Sequence, residues 1–86
     1  MIDRKNHPLG WAMLLHELED AREHLQALIE EMEADADYDE HSLRVDLGHI
    51  YAHLNRAWRR RYVKEDFAEE DWDRARAFPD DLEPIA

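Results

Sequence analysis

The chain reads as an all-α protein: an antiparallel helical hairpin with a short third helix, pairing with a second copy into a dimeric four-helix bundle. Three observations predict this. Trp11, Leu18, Leu25 and Met32 are spaced seven apart, with Leu14, Ala21 and Leu28 between them at the offset of three, which marks a helix with a buried stripe. A second stripe of Leu43, Leu47, Ile50, Tyr51, Leu54, Ala57 and Trp58 follows after one acidic turn. The chain has only 86 residues and no cysteine. A domain of that size buries only about 60% of its unfolded surface, so self-association or a metal is the expected brace.

The elements follow in order within one domain, residues 1–86. Pro8 suits the first turn of a helix and Asn6 a cap or turn before it, so helix 1 is expected over about 9–34. Arg22 falls inside its apolar stripe, where it needs a carboxylate partner or a route to water. The turn Ala34 to Glu40 is acidic, and Asp37 or Asp39 can cap helix 2, expected over about 40–63. Gly48 stands in mid-helix, where a close neighbour or a free surface position would explain it. Asp66 and Glu69 read as a capping pair for helix 3 over about 66–77, stopped by Pro79. An extended tail over 78–86 completes the chain.

Two facing stripes leave flanks uncovered, and a symmetric second copy is the simplest cover. The expected interface is Trp11, Leu15, Leu18, Leu25, Ile29, Tyr51 and Trp58. Helix 3, anchored by Phe67, Trp72 and Phe78, can close either its own hairpin or the partner's.

Charge narrows the function classes. With 22 acidic residues against 11 basic ones the net charge is −11, which disfavours binding to nucleic acid or to an anionic membrane. No apolar run reaches the length of a membrane span, and Met1 to Leu9 is polar rather than signal-like, so a cytoplasmic protein is expected. The basic run Arg56, Arg59, Arg60, Arg61 and Lys64, interleaved with Trp58 and Tyr62, resembles a phosphate-binding patch, but the acidic segments around it can neutralise it.

Candidate chemistry is sparse. Asp46, His49 and His53 share one helix face at spacings of three and four, a pattern able to hold a divalent metal with Glu17 or a symmetry mate as a further ligand. His16, Asp20 and His24 form a similar row on helix 1, expected on the solvated face opposite the apolar stripe. Asp35, Asp37 and Asp39 start like a calcium loop, but Glu40 stands where that loop requires glycine, and its twelfth residue is Asp46. The chain has no cysteine, no threonine and one serine, Ser42, which falls in the first turn of helix 2, where a capping or turn role is the default. No glycine-rich phosphate loop exists either, so no catalytic residue is assigned.

The run Gly48 to Trp58, followed by Trp72 and Phe78-Pro79-x-Asp81, resembles short bacterial all-helical proteins of no assigned activity. The resemblance implies no cofactor or partner. It suggests only that the tail packs on helix 2, with Phe78 near Trp58 and Asn55 bonding the incoming backbone. The functional expectation is a non-enzymatic homodimeric protein-interaction module. The alternatives are a metal-binding bundle through Asp46, His49 and His53, and an acidic inhibitor or adaptor of a basic or nucleic-acid-binding partner.

Overall fold

The computed structural model of the protein describes residues 1–86, and its regular structure is entirely helical. Helix α1 spans Pro8–Ala34 and α2 spans Glu40–Arg59, packed as an antiparallel hairpin; α3 is a single turn, Trp72–Ala75. No helix is long and apolar enough to cross a membrane.

Pro8 opens α1, where its missing N–H leaves nothing unsatisfied. Asn6 does not cap the helix. Its backbone N–H donates to the Asp3 carboxylate at 2.6 Å instead, folding the residues before Pro8 into a turn. The Asp39 carboxylate accepts the Ser42 N–H at 2.9 Å and caps α2. That hydrogen bond holds the Asp39 carboxyl below its ordinary range. The last expected turn of helix 2 tightens into a 3-10 turn, Arg60–Tyr62.

Helix 3 is much shorter than the expected 66–77. The Asp66 carboxylate is drawn away from capping by Arg60 at 3.1 Å and by the Phe67 N–H at 2.7 Å. A 3-10 turn, Glu69–Asp71, precedes α3 without a side-chain cap. The tail then docks on α2. Asn55 donates to the Arg76 carbonyl at 2.7 Å, as the sequence suggests. Phe78 goes to Tyr51 rather than Trp58, with ring centroids 5.2 Å apart.

Arg61 fastens both ends of the chain. Its carbonyl accepts the N–H of the buried Ile2 at 2.8 Å. Its guanidinium donates to Asp81 at 3.0 Å and lies over the Trp58 ring, 3.8 Å from the centroid. The Trp58 indole N–H also donates to Asp81, at 3.0 Å. Close by, the Gly10 N–H donates to the Lys64 carbonyl at 3.0 Å. A Cβ at Gly10 would collide with the Val63 carbonyl oxygen, so this crossing requires glycine.

The core is small. Ala21, Leu28 and Ile50 form its centre, with Tyr38, Leu43 and Leu47 packed against it. Only 11 of 86 residues are buried, and the radius of gyration is 14.8 Å. A compact chain of this length would have a radius of about 12 Å. One hairpin alone therefore covers little of its own apolar surface.

The buried line on α1 differs from the expected stripe. The side turned to α2 is the row Gly10, Leu14, Glu17, Ala21, Leu28, while Leu18, Leu25 and Met32 are 41–49% exposed. At 100° per residue the apolar row lies about a fifth of a turn from the contact row. Helix α2 repeats the arrangement: Ile50, His53 and Ala57 are buried, and Tyr51 and Leu54 are half-exposed on one flank. Arg22 is exposed and reaches water directly, without the carboxylate partner that a buried position would require.

Candidate functional site

Because the helices run antiparallel, equal rotations place both apolar flanks on the same side of the hairpin. That side carries Leu15, Leu18, Leu25, Ile29 and Met32 from α1 and Tyr51 and Leu54 from α2, all 39–49% exposed. Of the interface residues expected from sequence, Leu15, Leu18, Leu25, Ile29 and Tyr51 are on it and exposed. Trp11 and Trp58 are half-buried, Trp58 under Arg61 and beside Asp81. The tail lengthens this side. Phe78, Pro79 and Leu82 join Tyr51 and Leu54 around a cleft of about 670 Å³.

The opposite side is polar. Its centre is the Glu17 carboxylate, whose side chain is only 6% exposed. Glu17 accepts from His53 Nδ1 at 3.0 Å, from Arg56 Nε at 2.8 Å and from Arg60 Nε at 3.2 Å. Arg60 is itself buried, lies over the Phe67 and Trp72 rings at 4.3 and 5.2 Å, and donates to Asp66. Three members of the basic run are ion-paired within a single chain, Arg56 and Arg60 with Glu17 and Arg61 with Asp81, while Arg59 donates to the Ala77 carbonyl at 3.2 Å.

One step further along the hairpin, three imidazoles meet. His49 Nε2 lies 3.1 Å from His24 Nε2 and 3.2 Å from His53 Nε2. The His24 and His53 rings stack, with centroids 5.4 Å apart, and His49 stands edge-on to both. Desolvation pushes the His49 pKa down, and the neighbouring charges of His24, His53 and Arg56 push it the same way.

The metal triad expected from sequence is rearranged. His49 and His53 come together, but the Asp46 carboxylate turns to the Tyr38 hydroxyl at 2.7 Å. The Tyr38 hydroxyl is pushed up to about 12 by its removal from water and by the Asp46 bond. His24 stands in place of Asp46. The expected solvated row on helix 1 is corrected accordingly. Asp20 lies 3.5 Å from the exposed His16 and 4.0 Å from His53, and His24, though exposed as expected, reaches across to His49 on α2. The acidic turn is locally spent: Asp35 accepts the Asp37 N–H at 2.9 Å and Asp39 caps α2.

In the sequence Glu17 stands as a partner for the His49 and His53 face, but His24 falls on the solvated side of helix 1 and Arg60 in a surface basic run, so neither is expected in this cluster, which both join. A signal for them exists. Gly10, Glu17 and His24 are seven apart, and so are Asp46, His53 and Arg60. These two polar heptads are the rows that meet. No protein-family model, no curated protein and no solved structure matches this chain.

Proposed function

We propose that the chain is a non-enzymatic, homodimeric protein-interaction module, in which two hairpins pair apolar side to apolar side as a four-helix bundle. The observation that carries this reading is the exposed row from Leu15 to Met32, continued on α2 by Tyr51 and Leu54. Its size fits a second copy. Seventeen residues of rise give about 26 Å, and two helices side by side about 20 Å, hence roughly 500 Å² per copy. Two copies would bury about 1,000 Å², the lower bound for a specific interface. The row contains one charge, Arg22, in a chain of net charge −11. Self-repulsion is therefore weakest at the surface that must come together, and a two-fold axis needs only one self-complementary patch.

Light scattering on the eluting protein tests this. The expected mass is twice the 10.3 kDa of one chain. Leu25→Glu combined with Ile29→Glu should give single chains that keep their helical circular dichroism. Glu23→Lys, on the outer face of α1, should leave the mass doubled. A wild-type mass of one chain at every concentration tested would overturn the reading.

A further inference from the structure

We propose that His24, His49 and His53 form a binding site for one divalent transition-metal ion, Zn2+ in the first instance, with Glu17 as the residue that orients His53. The site lies on the polar side of the hairpin and is independent of the proposed pairing.

Convergence is the first argument. The three ligand nitrogens lie within 4.8 Å of one another, with two of the separations at 3.1 and 3.2 Å. Tetrahedral bonds of about 2.0–2.1 Å to one ion would set such nitrogens about 3.3 Å apart. Little movement separates this arrangement from a ligated one.

Protons are the second argument. His53 Nδ1 has two neighbours, the Glu17 carboxylate at 3.0 Å, which only accepts, and Arg56 Nη2 at 3.3 Å, which only donates; the shorter contact puts the proton of the neutral ring on Nδ1 and leaves Nε2 with a lone pair. His49 Nε2 must then donate to His53. Having done so, it has no lone pair left to accept from His24 at 3.1 Å. If His49 Nε2 is bare instead, it meets the bare His53 nitrogen at 3.2 Å, lone pair against lone pair. No choice of tautomers gives each contact its own hydrogen bond. A cation resolves this, because it accepts all three lone pairs at once.

The third argument is the surrounding shell. A ligating imidazole characteristically gives its other N–H to a carboxylate, which fixes both tautomer and ring. Glu17 does this for His53, and is fixed in turn by Arg56 and Arg60. In the neighbouring group of Glu17, Asp20 and His53 the donor atoms are already engaged: both arginines bond the Glu17 carboxylate, and His53 Nδ1 faces Glu17 at 3.0 Å and Arg56 at 3.3 Å, so the Nε2 side is the one open to an ion.

The donor set selects the ion. Three imidazoles without a thiolate suit Zn2+, Ni2+, Co2+ or Cu2+ and are poor for Mg2+ and Ca2+. His24 and His49 are exposed, so the fourth position opens to water or an added donor. Because His24 is on α1 and the other two on α2, the ion would clip the two helices together.

The test uses the full chain, stripped with EDTA and titrated with ZnCl2 by calorimetry. One ion per chain is expected. His24→Ala and His49→Ala, both at exposed positions, should each weaken binding more than tenfold, and Glu17→Gln should weaken it about 10–100-fold. His16→Ala and His41→Ala should change nothing. Co2+ in place of Zn2+ should give the intense visible bands of a four-coordinate ion. Binding that is substoichiometric, or that His24→Ala and His49→Ala leave unchanged, would overturn the site. The mass of the EDTA-treated protein is read separately, so a failed metal site and a failed pairing are told apart.

Discussion

Glu17 and Arg60 meet at 3.2 Å with side chains 6% and 2% exposed, so an ion pair sits where a helical hairpin ordinarily places leucine. His53 and Arg56 bond the same carboxylate. Taking such charges out of water costs several kcal/mol per ion, and the cost is met only while every partner is present. The cluster therefore favours one alignment of α1 on α2 rather than simply adding attraction. Sliding the helices by one residue would strand Arg60.

Replacing Glu17 by Leu should expose that dependence. Arg60 would keep Asp66 but lose its shielded counter-charge, and breaking a buried pair from one side typically costs about 3–5 kcal/mol. Urea unfolding should show the loss as a lower midpoint. Glu17→Leu combined with Arg60→Leu should recover part of it. A single variant as stable as wild type would contradict the arrangement.

The two glycines should respond with opposite signs. Gly10→Ala pushes a methyl into the Val63 and Lys64 carbonyls, which belong to the backbone and cannot turn aside. A loss of about 1–3 kcal/mol is expected from such overpacking. At Gly48 nothing lies within 4 Å of an added Cβ, so Gly48→Ala should stabilise by about 0.5–1 kcal/mol through helix propensity alone. Thermal melts of the two variants beside wild type give the comparison.

Acid should release the tail. The Trp58 indole N–H, and then Arg61, hold the Asp81 carboxyl below its ordinary 3.8. The folded state thus binds this proton less readily than the unfolded state. The stabilisation is present above pH 3.8 and is lost as pH falls through the lower folded value. Asp81→Asn should melt below wild type at pH 7, and the gap should close in the acid range below about pH 4. A gap unchanged down to pH 2 would rule the contact out as its cause.

The hairpin was legible in the sequence because its apolar residues repeat at helical spacing. Which row touches α2 was not. Leu14, Ala21 and Leu28 belong to two heptads at once, one completed by Trp11, Leu18 and Leu25, the other by Gly10, Glu17 and His24. Hydrophobicity selects the first, yet the second meets α2, because Glu17 answers His53, Arg56 and Arg60. That complementarity joins residues up to 43 apart in sequence, and no periodicity along one helix reports it. Asp46 misled for the same reason: at i−3 and i−7 to two histidines it shares their face, but Tyr38 from the turn holds it. Helix 3 is short on a different ground: Asp66 stands at a capping position in the sequence, but the buried Arg60 has the stronger claim on its carboxylate.

Arg61 takes Ile2 on its carbonyl and Asp81 on its guanidinium, so the two ends of the chain are moored to one residue. The hairpin is thereby given a direction. Its far end, from Met32 through the turn to Ser42, has few buried side chains and is the low-stability end from which amide exchange should begin. Opening that starts there runs toward a clasp, and the last backbone protons to exchange will be those near Ala57, beside the point where beginning and end of the polypeptide are tied.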